Sequence, residues 1–140
     1  DIKSLNLLPS VLAKQYAYEN NSSEAWLIDK DGFVTEGSSS TAWILDKNNC
    51  LRTSSLNNNI LPGITRETFM KGLKTYKIKL KEKSFNLKDI KSAKEAFITS
   101  ATTFVTPVNN VNNFKIGTGK PGKFASIFLD IYKNAIKLQS

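Results

Sequence analysis

Apolar and polar positions alternate along the chain with two periods, one of helices and one of strands. Leu8, Leu12 and Tyr16, with Val11 and Gln15 beside them, recur at helical spacing towards Glu19. Pro9 falls where the first turn of a helix tolerates a residue without an amide hydrogen. Asn20-Asn21-Ser22-Ser23 ends that element. Ala25-Trp26-Leu27-Ile28 is a continuous apolar run of strand length, closed by the turn residues Asp29-Lys30-Asp31-Gly32. Phe33-Val34-Thr35 reads as the returning strand of a hairpin. Thr41-Ala42-Trp43-Ile44-Leu45 predicts another strand, and Cys50-Leu51-Arg52-Thr53 a short return after Asp46-Lys47-Asn48-Asn49.

Beyond the polar stretch 54–59, Ile60-Leu61-Pro62-Gly63 reads as a chain reversal into a helix whose apolar face is Phe69, Leu73 and Tyr76, flanked by Met70. From Lys77 to Phe85, lysine and glutamate alternate with Ile78 and Leu80, as in an edge or half-exposed strand. A short helix around Leu87 to Ser92 leads to a buried strand at Ala96-Phe97-Ile98. The last helix carries Phe124, Ile127, Phe128, Ile131, Ala135 and Leu138 on one face and Lys123, Asp130, Lys133 and Lys137 on the other. This is the pattern of a packed amphipathic helix rather than one lying on a membrane. Strands and helices alternate, and strands apolar throughout need a sheet covered on both faces, so the class is α/β or α+β.

Composition narrows the chemistry. With 140 residues, 40% hydrophobic and 23% charged, the chain suits one domain with a sizeable core. It has no histidine and one cysteine, which excludes Ser-His-Asp and Cys-His nucleophile pairs, His-ligated metals, Cys-cluster zinc and an internal disulfide. Cys50, at a strand start, reads as an inert packed thiol. The net charge of +8 invites a nucleic-acid reading. Yet the lysines are dispersed, Glu82 and Asp89 interrupt their densest stretch, and aromatics do not interleave with them as in a base-stacking platform. A solvated basic surface is the expectation, with a non-catalytic basic binding module as the alternative of another class. No apolar run approaches the ~20 residues that span a bilayer. Asp1-Ile2-Lys3 has neither part of a signal peptide, so the expected compartment is the cytoplasm. A start without methionine raises the expectation of a piece of something larger.

Without histidine, acid–base work falls to Lys, Asp, Glu, Tyr or a cofactor. Lys3 lies in the mostly apolar Asp1-Ile2-Lys3-Ser4-Leu5-Asn6-Leu7-Leu8. Such a lysine either snorkels or, if desolvated, becomes an amine nucleophile towards a carbonyl. Thr35-Glu36-Gly37-Ser38-Ser39-Ser40 at a strand end is an ordinary loop or a carboxylate placed to hold a proton on a ring nitrogen. Leu61-Pro62-Gly63-Ile64-Thr65-Arg66 opens a helix, where free amides and the positive dipole end suit a phosphate. Ser100-Ala101-Thr102-Thr103 follows a strand, and its small residues let a backbone approach an anion.

In order and spacing these four stretches, with Pro107-Val108 and Ile116-Gly117-Thr118-Gly119-Lys120-Pro121-Gly122, resemble the class IV (fold-type IV) aminotransferases, which use pyridoxal 5'-phosphate (PLP). The resemblance covers essentially the whole chain and implies the C-terminal domain of that fold, a sheet or pseudo-barrel with flanking helices. On this reading residues 1–140 are one PLP-binding domain of a two-domain enzyme. Its N-terminal domain, absent from this chain, would supply an arginine for the phosphate and a tyrosine near the cofactor hydroxyl. Lys3 would be the Schiff-base lysine that also shuttles the substrate proton, and Glu36 would pair with the pyridine nitrogen. Leu61 would pack near the ring. Ile64 and Thr65 would hold the phosphate, Ser100 and Ala101 would complete its cup, and Thr102 would lie near the substrate. Ala101 stands where relatives commonly have threonine, leaving only its amide, and Thr41 replaces the usual asparagine. The implied activity passes an amino group from a D-amino acid such as D-alanine to a 2-oxo acid. Branched-chain aminotransferase and 4-amino-4-deoxychorismate lyase are alternatives on the same fold. A cytoplasmic homodimer is implied, with this fragment alone not competent and with neither nucleic acid nor membrane as a partner.

Overall fold

The computed structural model describes residues 2–54, 56, 66–100 and 104–139, with backbone only for 2–10, 66 and 135–139. Two strands, β1 (Trp26–Ile28) and β2 (Val34–Gly37), form an antiparallel ribbon. Asp29 Oδ1 turns the chain between them, accepting from the amides of Asp31 at 2.9 Å and Phe33 at 3.0 Å. The main sheet follows: β3 (Thr41–Leu45), β4 (Cys50–Thr53), β5 (Lys79–Glu82), β6 (Glu95–Ser100) and β7 (Phe104–Pro107). Their spatial order is β5-β4-β3-β6-β7, antiparallel except for the parallel pair β4 and β5, so the sheet is mixed. A second small ribbon pairs β8 (Asn110–Val111) with β9 (Phe114–Lys115).

The period-two side-chain alternation of β3 explains why the core has two halves. Trp43 and Leu45 join Leu51, Phe69, Leu73, Phe97, Phe124 and Phe128 on one face. There α2 (Arg66–Thr75) and α4 (Lys123–Gln139) cover the sheet. Phe128 is fully buried, with its ring centroid 5.1 to 5.9 Å from those of Trp43, Phe69, Phe97 and Phe124. Burying one such ring stabilises the fold by roughly 1.5–3 kcal/mol. On the other face Ala42, Ile44 and Ala96 meet Val34, Phe85, Ile90, Ala93 and Ile116, with α3 (Leu87–Ser92) above them. Two of the buried polar side chains of the sheet are paired within it: Trp43 Nε1 donates to Thr99 Oγ1 and Thr53 Oγ1 to the Ala42 carbonyl, both at 2.9 Å. Arg52 Nε, also buried, has no hydrogen-bond partner among the described residues.

The α/β class with a sheet covered on both faces is as the sequence predicts, and α2, α3, α4, β3 and β4 lie where its periodicity places them. Two elements differ. The first helix, α1, spans Ile2–Glu19, so it begins well before Pro9. Neither glycine nor proline interrupts residues 2–8, and Pro9 costs the helix only the hydrogen bond its missing N–H would give Leu5. The expected strand Lys77 to Phe85 shortens to β5, because Lys77 is spent on ending α2. Lys77 takes the left-handed φ of +58° while the Ile78 amide returns to the Leu73 carbonyl at 3.1 Å. Asn21, at φ +59°, ends α1 in the same way. Among the described residues no helix is long and apolar enough to cross a membrane, and no cluster of three His, Cys, Asp or Glu could hold a metal.

Candidate functional site

Strand register gathers several chain ends at one end of the main sheet. Thr41 opens β3 opposite Thr99, and Ser100 closes β6 opposite Phe104, where β7 begins. The antiparallel pairing of Ile44 with Arg52 and Leu45 with Leu51 sends β4 towards that end too, where it finishes at Thr53. β2 finishes at Gly37, four residues before β3 starts there. In chain order, residues 57–65 follow β4 and residues 101–103 join β6 to β7.

Glu36 sits near the end of β2, opposite Leu27 of β1, and is exposed. Among the described residues its carboxylate has no hydrogen bond or ion pair. The strand that carries it is anchored on both sides. Thr35 Oγ1 donates to the Leu27 carbonyl at 3.2 Å, and Ser54 Oγ donates to the Thr35 carbonyl. Gly37 N–H donates to the Ser40 carbonyl at 2.8 Å, closing the reversal into β3. A Cβ on Gly37 would collide with Ser40 Oγ, so a larger residue there would force Ser40 and its bond to Glu24 to shift.

A second carboxylate, Glu24, lies under that loop. Its oxygens accept from Ser38 Oγ, from Ser40 Oγ at 2.7 Å, and from Ser39 Oγ at 3.1 Å and Ser39 N at 3.2 Å. The Ala25 amide adds a bond at 2.9 Å, and Lys14 Nζ of α1 stands 3.7 Å away. The Glu24 side chain is only 9% exposed. Burial alone would raise its pKa, but the hydroxyls of Ser38 and Ser40, the Ala25 amide and the Lys14 charge outweigh it. The group is lowered from 4.5 to about 2. Lys14 also donates to the Ser23 carbonyl at 2.8 Å and Ser39 Oγ at 3.4 Å, tying α1 to the loop beside Glu36.

Of the residues singled out from sequence, the structure brings Glu36, Thr41 and Ser100 to one end of the sheet. Ser100 is half-buried there. Lys3 lies near the start of α1, and its side chain lies outside the described residues, as do Leu61, Ile64, Thr65, Ala101 and Thr102 altogether. Cys50 is buried, and burial together with the Asp46 charge pushes its thiol pKa up against the opposing pull of Lys81, Arg52 and Lys79. A raised pKa leaves the thiol protonated and unreactive, as expected of a packed cysteine. Sequence reasoning missed Glu24 and Lys14. The available signal was a lone acid directly before an apolar strand, followed at a distance by three consecutive serines.

The family model for amino-transferase class IV matches residues 1–111. D-alanine aminotransferase of Listeria monocytogenes is 40% identical over 122 residues, which is 87% of this chain and 42% of that protein. D-alanine aminotransferase of Staphylococcus aureus is 43% identical over 122 residues, 87% of this chain and 43% of that protein. The chain thus spans less than half the length of these curated relatives. Among solved structures, the branched-chain aminotransferase of the archaeon Thermoproteus uzoniensis, with norvaline, is similar at a TM-score of 0.74 with 28% identity. That match covers 91% of this chain and 42% of that one.

Proposed function

The chain belongs to the class IV aminotransferases, and on that footing we propose that it is the cofactor-holding C-terminal domain of an enzyme that moves an amino group from a D-amino acid, such as D-alanine, to a 2-oxo acid. The observation that carries this reading is Glu36. It is an exposed carboxylate, unpaired among the described residues, at the sheet end where Ser100 also finishes its strand. A carboxylate so placed fits the cationic ring nitrogen of PLP, because opposite charge favours the protonated form of that nitrogen. PLP, once bound, supplies the electron sink that lets a substrate Cα–H bond break. In this reading Lys3 holds the cofactor through its amine and carries the proton to and from the substrate Cα, while Glu36 keeps the ring nitrogen charged. Leu61 would pack near the ring, Ile64, Thr65, Ser100 and Ala101 would hold the phosphate, and Thr102 would lie near the substrate. The D-amino acid preference is supported by the D-alanine aminotransferases, at 40 and 43% identity, over the branched-chain enzyme at 28%. The rest of the reading is a cytoplasmic homodimer in which an N-terminal domain completes the site.

Borohydride reduction of the full-length protein with PLP tests it, followed by peptide mapping and by transfer assays with D-alanine, L-leucine and aminodeoxychorismate. The expected adduct is on Lys3, with amino transfer fastest from D-alanine. An adduct on another lysine, or none, overturns the assignment. Faster transfer from L-leucine moves it to the branched-chain group.

A further inference from the structure

Ser38, Ser39 and Ser40 look at first like an anion-binding loop, since they are small, hydroxylated and follow a strand end. Their hydrogen bonds say otherwise. All three hydroxyls and the Ser39 amide donate inward to Glu24, which also takes the Ala25 amide. A carboxylate has about four lone-pair sites, so five donors and the nearby Lys14 ammonium leave Glu24 no capacity for a ligand. A negative charge beneath the loop also repels an anion above it. The loop is therefore neither a phosphate cup nor a second carboxylate site. Its fixed geometry serves the adjoining residue.

That residue is Glu36, separated from the pinned loop only by Gly37. The Ser38 amide donates to the Ala25 carbonyl at 2.9 Å, so the loop is clamped to the segment before β1 by backbone as well as side chain. Lys14 brings α1, the helix carrying Lys3, onto the same loop. We propose that Glu24 is a positioning residue for Glu36. By gathering the three serines it fixes where β2 ends, and so the direction from which the Glu36 carboxylate meets the ring nitrogen of PLP. The role rests on the cofactor reading above. Site ligands act only when neighbouring groups lock their placement, and removal of such partners typically costs about 10- to 100-fold.

The test is a double-mutant cycle in the full-length protein with Glu24→Gln, Glu36→Gln and both together. Three readouts are taken: PLP affinity by fluorescence titration, the pH dependence of bound-cofactor absorbance, and thermal unfolding. The expected result is that Glu24→Gln weakens PLP about 10-fold or more and shifts the absorbance profile in the direction Glu36→Gln does. The double variant is then no worse for the cofactor than Glu36→Gln alone, because both act through one contact. A purely structural Glu24 lowers Tm but adds independently to Glu36→Gln in the cofactor readouts, and that additivity overturns the proposal. Should Glu24→Gln fail to fold, Ser40→Ala removes one donor while keeping the carboxylate. The same non-additivity is expected of it, and additivity there overturns the proposal equally. Wild-type protein that shows no bound-PLP absorbance overturns the cofactor reading itself, and the role of Glu24 with it. Additivity in PLP-loaded protein removes the role of Glu24 alone.

Discussion

Both ends of the main sheet bond acids into the fold, but only one also carries an acid left open among the described residues. At the end where β3 stops and β6 starts, charged groups are engaged with one another and with backbone. Arg52 is buried between Asp46 at 3.9 Å and Asp89 at 3.4 Å and donates to the Ser84 carbonyl. Asp89 in turn forms a reciprocal cap with Asn86 at the start of α3. Glu95 accepts the amides of Phe124 at 3.0 Å and Ala125 at 3.3 Å, covering the N-terminus of α4. A Cβ on Gly122 would strike the Glu95 carboxylate, so the chain is bare where it crosses that cap. At the other end Glu36 is exposed and unpaired among the described residues, while the loop beside it is held by Glu24. One end has its acids bonded into the fold, and the other holds one acid rigidly in reach of solvent. Paired charges are committed to the fold, and an unpaired charge on a fixed support is what ligand chemistry requires.

The largest expected effect comes from removing the open charge. Glu36→Gln in the full-length protein should lower kcat about 10²- to 10³-fold, the scale of losing one preorganised electrostatic contact. Thermal unfolding should move by no more than about 0.5 kcal/mol, as for a surface substitution. Equal losses of activity and stability would erase the contrast. Next is Arg52→Leu at the ion-paired end, which leaves Asp46 and Asp89 without their cation. It should cost about 2–3 kcal/mol in urea unfolding, somewhat less than a deeply buried pair because both acids keep some water, while PLP affinity stays unchanged. The smallest effect sharpens the boundary between the two ends. Glu24 is lowered from 4.5 to about 2 in the folded chain, so its stabilisation is fully present above pH 4.5 and lost as pH falls through about 2. Glu24→Gln should therefore flatten the acid limb of the stability curve between those values, by about 1–2 kcal/mol, and leave its neutral-to-basic limb parallel to wild type.

Much of this architecture was legible because burial imposes a period. Trp43 and Leu45 against Ala42 and Ile44, and the Phe124, Phe128, Ile131 stripe of α4, each encode which face meets the core. The sequence places α3 around Leu87 to Ser92, and the structure adds what fixes its start, the capping pair Asn86 and Asp89. β8 and β9 were not legible, since two-residue strands among asparagines carry no period, and β7 was hidden by Pro107 at its end. The candidate site divides likewise. Glu36 and Ser100 stand out in strings of distinctive residues at strand ends, but their shared sheet end follows from register between distant strands. Glu24 had only a faint signal, a lone acid before an apolar strand, and Lys14 none. Their meaning arises from contacts with serines 14 to 16 residues beyond Glu24 and 25 beyond Lys14.

The central place of β3 also has a consequence for synthesis. Its partner on one side, β4, follows within a few residues, but its partner on the other, β6, begins only at Glu95. At translation rates of about 5–20 residues per second, Ala42-Trp43-Ile44-Leu45 waits roughly 3–10 s with one flank bare. During that interval one edge of an apolar strand has no hydrogen-bonding partner, the kind of open edge on which another chain can pair.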